Sequence, residues 1–175
     1  MFHLRLISLL VMVSVTLGIA GCCSVAPRAD KFFHRNSPEE SIRMFRYAVE
    51  AGQWEFAYAC LTTELQEQYS ELELSLMVRF GSQQGKNLRD LIENALQLPG
   101  SHAIPGADPA LARSVTVVFF EDPDDPATDS YEQALFLAKE GREWRIDLTK
   151  DPALMQNFSG ELPPLPYAAL APSPD

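Results

Sequence analysis

The residue types able to carry chemistry are few in this chain of 175 residues: three cysteines, three histidines and one dense acidic run. Cys22 and Cys23 are adjacent and Cys60 stands alone, which cannot supply a four-cysteine zinc site or a dense disulfide scaffold. His102 has no second ligand at useful spacing, so no metal is expected there. The stretch 121–129 holds five acidic residues in nine, enough to raise the question of calcium. Its two prolines stiffen it, and it lacks the glycine and terminal glutamate of a calcium loop, so a solvated surface loop is the better reading. No serine-histidine-aspartate order or glycine-rich phosphate loop supports hydrolase or nucleotide chemistry, and no cofactor is expected. Cys60, among Phe56, Ala57 and Leu61, reads as a buried small hydrophobe; the alternative is a pairing with Cys23 in an oxidising compartment.

Charge and the N-terminus give the chain an address more readily than an activity. Fourteen basic groups face 24 acidic ones, a formal net charge of −10, which leaves no basic footprint for nucleic acid. Met1 to Arg5 carries one positive charge, and Leu6 to Ala20 is almost wholly apolar and ends in small residues, the pattern of a secretory signal. As a helix those fifteen residues would rise about 22 Å, short of the roughly 30 Å hydrocarbon core, so a mature spanning helix is not expected. The run Ile19-Ala20-Gly21-Cys22 resembles the lipobox of bacterial lipoproteins. That resemblance implies cleavage between Gly21 and Cys22 and a thioether-linked diacylglycerol on Cys22, often with a further N-acyl (palmitate-type) chain. Two or more chains anchor stably where one is marginal. Position 23 is not the aspartate that the family uses for inner-membrane retention, which favours the periplasmic face of the outer membrane in a cell that has one. The alternative is an ordinary signal peptide whose cysteines lie beyond the cut.

Past the anchor, local signals organise one domain. Residues 22–36 read as a polar tether. Ser37-Pro38-Glu39-Glu40 combines a cap hydroxyl, a proline at the first helical position and a glutamate placed to close a capping box. Ile42, Phe45, Ala48 and Val49 then recur at helical spacing up to Gly52, and a second helix is expected from Trp54 to Leu61. Thr63-x-x-Gln66 and Ser70-x-x-Glu73 resemble two more capping boxes and divide 64–80 into two helical pieces before Gly81. Leu88, Leu91, Ile92, Ala95 and Leu96 make an amphipathic helix closed by Pro99-Gly100, its apolar stripe expected in the core. From Arg113 the period becomes two, and strands are expected over 114–121, 130–139 and 143–148, the last two joined by a tight turn at Gly141. Val115, Val117 and Phe119 can face the helices, yet Val118 and Phe120 leave the other face apolar too, so a homodimer packed sheet to sheet or the tail is expected to cover it. Residues 151–175, with six prolines, read as an extended or disordered tail whose Pro-Pro-x-Pro run could dock on a partner.

The stretch from Ser37 to Leu61, followed by Lys139 to Leu148, resembles the nuclear transport factor 2-like superfamily, which includes ketosteroid isomerase and many small bacterial lipoproteins. The resemblance implies an α+β cone over 37–150, with N-terminal helices packed on a curved antiparallel sheet and an apolar pocket between them. Three functions follow as expectations. The first is a non-catalytic envelope lipoprotein, anchored in the membrane through lipid on Cys22, whose domain binds an envelope protein or a small apolar ligand. The second resembles ketosteroid isomerase, with Tyr47, Tyr58 and Asp147 the residues worth weighing for proton transfer and oxyanion stabilisation. Asp147 alternates out of phase with Trp144 and Ile146, so no residue is assigned as catalytic. The third is an accessory subunit of an envelope assembly that docks through its tail.

Overall fold

The computed structural model describes residues 26–120, save 84 and 85, and residues 130–150. Gly21, Cys22 and Cys23, the acidic stretch 121–129 and the tail 151–175 lie outside the described residues. The described chain is α+β: helices first, then a strongly curled antiparallel sheet that wraps half of a barrel against them.

Local chemistry accounts for the helices. A 3₁₀ turn, Ala29–Lys31, precedes α1, Pro38–Glu50. The α1 start has Pro38 in its first turn, and the Ser37 hydroxyl accepts from the Glu40 N–H at 3.2 Å. Gly52 (φ +67°) takes the left-handed conformation that turns the chain into α2, Trp54–Ala59. That helix stops two residues before the expected end because Leu61 leaves it to form a parallel bridge with Ile146. The stretch 64–80 divides as expected into α3, Thr63–Gln68, and α4, Glu71–Phe80. Ser70 closes a full capping box: the Ser70 N–H donates to the Glu73 carboxylate at 2.7 Å and the Glu73 N–H to the Ser70 hydroxyl at 3.3 Å. The expected Thr63 box does not form. Thr63 is already the first helical residue, and its N–H and hydroxyl donate to the Glu140 carboxylate while Gln66 donates to the Tyr58 and Leu61 carbonyls.

A short hairpin, β1 (Ser82–Gln83) with β2 (Lys86–Asn87), leads into α5, Leu88–Asn94. The main sheet follows: β3 (Leu96–Gln97), β4 (His102–Ala103), β5 (Ala112–Phe120), β6 (Ser130–Glu140) and β7 (Glu143–Ile146). Its order is β3-β5-β6-β7, with β4 also paired to β5, and every pairing is antiparallel. The β5–β6 register runs from Ala112↔Ala138 to Phe120↔Ser130, and Glu140↔Glu143 closes the turn in which Gly141 takes φ +64°. Period-two alternation puts Val115, Val117, Phe119 and Leu137 on the concave face, where they join Ile42, Val49, Leu74, Leu91 and Ile146 in one core. On the convex face Leu96 is half exposed, whereas Val118 is buried and Phe120 is partly covered. A second 3₁₀ turn, Leu148–Lys150, ends the described chain. Among the described residues no helix is long and apolar enough to cross a membrane.

Part of the segment read from sequence as tether is packed structure. Ala29 is fully buried, its N–H donates to Gln53 Oε1 at 2.8 Å, and Gln53 Nε2 donates back to the Pro27 carbonyl at 2.8 Å. Arg35 bridges the same segment to the far edge of the sheet. One guanidinium nitrogen donates to the Ala59 carbonyl, another meets Glu143 at 2.8 Å, and the Arg35 carbonyl accepts from the Trp144 N–H at 2.9 Å.

Candidate functional site

Alternation along β5 and β6 puts Val117, Phe119 and Leu135 on the concave face, where they line a hollow with α1 and α5. The result is a groove of about 310 Å³, at the small end of the roughly 300–1,000 Å³ usual for ligand pockets. Its floor is Val117, Phe119 and Leu135; Ile42 and Phe45 of α1 and Ile92 of α5 form its walls, with Ala95 beyond. Helical spacing explains the α1 wall, since Ile42, Phe45 and Arg46 lie on one face one turn apart. Phe33 and Tyr47 line the groove with them. Their rings lie 5.6 Å apart, and Phe32 adds an edge-on contact to Tyr47 at 5.9 Å. Arg43, Arg46 and Glu50, all exposed, form the rim on α1, and Gln97 of β3 sits opposite. Arg46 is held at the rim by its Nη1 donating to the Ala95 carbonyl at 2.8 Å.

A second, polar cleft of about 570 Å³ adjoins the groove, bounded by Ser37, Glu39 and residues 96–100, and shares Arg43, Arg46 and Gln97 with it. Gln97 Oε1 is buried without a hydrogen-bond partner. Glu39 in the cleft is held below the usual carboxylate range. Burial pushes it up, but hydrogen bonds from its backbone N–H, Ser101 and Ser37, with the Arg43 charge, outweigh burial.

The residues weighed for proton transfer are not brought together. Tyr47 reaches the groove with its ring, but its hydroxyl donates to the Pro27 carbonyl at 2.8 Å. Tyr58 has its hydroxyl between the Gln66 and Tyr69 carbonyls, at 2.6 and 2.8 Å, and so ties α2 to α3. Asp147 follows β7, where its carboxylate accepts from the N–H and hydroxyl of Thr149 and starts the last 3₁₀ turn. Arg145, its sequence neighbour, meets Glu140 and Glu143 instead. Glu50, the carboxylate lining the groove, is exposed. His102 is exposed on β4, and among the described residues no group of three acidic, histidine or cysteine side chains could hold a metal ion. Cys60 is fully buried, as its neighbours imply.

Sequence reasoning missed Phe33, Gln53 and the rim arginines. The pair Phe32-Phe33 inside a polar segment was the available signal, although only Phe33 packs against the core and Phe32 stays 55% exposed. No protein-family profile, curated protein or solved structure matches the chain.

Proposed function

We propose that the chain is a membrane-anchored extracytoplasmic lipoprotein whose nuclear transport factor 2-like domain is a non-catalytic binding module. It sits in the cell envelope, at the periplasmic face of the outer membrane where the cell has one, and holds a small apolar ligand or an envelope partner. The observation that carries this reading is the groove: a concave, mainly apolar hollow with a few polar groups at its rim, the usual design of a small-molecule site. Helices preceding a curled antiparallel sheet, with the hollow on its concave face, are in keeping with the cone architecture. Binding is favoured over isomerase chemistry because Tyr47 spends its hydroxyl on Pro27 and the carboxylate of Glu50 is exposed, whereas proton abstraction next to a carbonyl calls for a shielded base beside an oxyanion donor. The anchor is supported by Ile19-Ala20-Gly21-Cys22 and the apolar run before it.

Fractionation tests the anchored half of the reading. Wild type is expected in the membrane pellet as a chain that begins at Cys22 and carries acyl mass, and Cys22→Ser is expected to lose that mass and the pellet. A Cys22→Ser chain that still pellets as firmly, or a wild type that begins at Met1 without acyl mass, rules the anchor out.

A further inference from the structure

The apolar groove and the polar cleft meet at Arg43, Arg46 and Gln97, which line both. Among the described residues no carboxylate lies within ion-pair distance of either arginine, although the chain carries a net charge of −10. Glu39, one turn before Arg43 on α1, feels the Arg43 charge, but its hydrogen bonds come from Ser37, Ser101 and its own backbone N–H. Arg46 gives one N–H to Ala95, which fixes its position and leaves further donors of its planar fork facing the two hollows' junction. A cationic pair at the boundary between an apolar hollow and a wet one suits a ligand divided the same way.

We propose that groove and cleft together bind a single-chain anionic amphiphile, its unbranched apolar chain against Val117, Phe119 and Leu135 and its carboxylate at Arg43 and Arg46. The proposal rests on the groove being a ligand site, as read above, and adds the chemical class of the ligand. A volume of about 310 Å³, at the small end of ligand pockets, suits one short chain. A neutral alcohol of equal length fills the groove as well but gains no charge-assisted hydrogen bonds at the rim. A cationic amphiphile of that length places like charge against both guanidinium groups and is disfavoured.

The test uses the full chain in phosphatidylcholine nanodiscs, with empty nanodiscs as the blank, titrated with radiolabelled decanoate, decanol and decyltrimethylammonium. Wild type is expected to take up one decanoate per chain, about tenfold more tightly than decanol, the gain of one good charge-assisted contact, and to bind the cation most weakly. Arg43→Gln with Arg46→Gln is expected to bind decanoate and decanol alike, whereas Arg43→Lys with Arg46→Lys keeps decanoate ahead. If wild type binds decanol as tightly as decanoate, or if the double glutamine variant keeps the preference, the anionic-head proposal is overturned while the groove remains an apolar ligand site. Should no probe bind above the blank, the ligand-site reading falls with it.

Discussion

Arg35 holds the N-terminal segment on the domain through its backbone as well as its charge. Its φ of +39° lies in the left-handed region, which costs a side-chain-bearing residue roughly 1 kcal/mol or more. Its bonds to Ala59, Glu143 and Trp144 hold it there. Arg35→Ala loses the guanidinium bonds to Ala59 and Glu143 but keeps the backbone bond to Trp144 and the strain, so its denaturant midpoint should report a loss of about 2–3 kcal/mol; Arg35→Gly should lose less, because glycine relieves the backbone. The Cys60 thiol is pushed up to about 12 by burial, against the opposing charges of Arg35 and Arg145. The thiolate is the reactive form, so Cys60 should resist thiol reagents at pH 8 until the chain unfolds. Between the ordinary thiol value of 9.0 and about 12 the unfolded chain has lost this proton and the folded one has kept it. Stability therefore falls as pH rises through that window, by up to about 1.4 kcal/mol per pH unit. Urea titrations across this range should show the alkaline decline, less steep in Cys60→Ala.

Helix ends were the most legible elements, because a cap is a local bargain between a side chain and nearby backbone N–H groups. Ser37 caps α1 by accepting from the Glu40 N–H without the return bond expected from the Glu40 side chain, and Ser70 closes a full box where its spacing predicts. Ser37→Ala should cost about 1 kcal/mol in thermal or urea unfolding. Glu73 is held below the usual carboxylate range by the backbone N–H and then the hydroxyl of Ser70, so its contribution is present above that range and fades as pH falls through the lowered value. The Thr63 box failed because its donors were taken by Glu140, which comes from another element 77 residues away, and nothing in a four-residue spacing reveals such a competitor. The amphipathic helix stops at Asn94 because Ala95 turns extended and Leu96 pairs with Val118. Its apolar stripe reads the same whether a residue meets the core, as Leu91 does, or lines a hollow, as Ile92 does. The groove was therefore expected only through a family resemblance, and its arginine rim was not legible, since exposed arginines are ordinary on a helix. Gly81 closes α4 in a way the sequence did mark: a methyl group there would collide with the Met77 carbonyl. Gly81→Ala should force the end of α4 to shift, with a loss of about 1–3 kcal/mol in unfolding midpoint.

For the whole molecule, curling of the sheet makes the site: Val117, Phe119 and Leu135 on its concave face line a hollow with α1 and α5, and Arg43 and Arg46 stand at its rim. The convex face poses a separate question, with Leu96 half exposed beside Phe120. Light scattering of the full chain and of a chain lacking residues 151–175 separates the two expected covers. A homodimer survives the deletion if sheet meets sheet, whereas loss of the tail should expose apolar surface and drive association if the tail lies there. The central claim, that the concave hollow holds a ligand rather than performs a reaction, is tested most directly by native mass spectrometry of the chain extracted gently from its own membranes. The expected spectrum contains a population heavier than the covalent chain by one small molecule, lost on gentle activation and depleted in Val117→Trp, which fills the floor of the groove. A wild type recovered wholly without such added mass, or an added mass untouched by Val117→Trp in a folded chain, would contradict it.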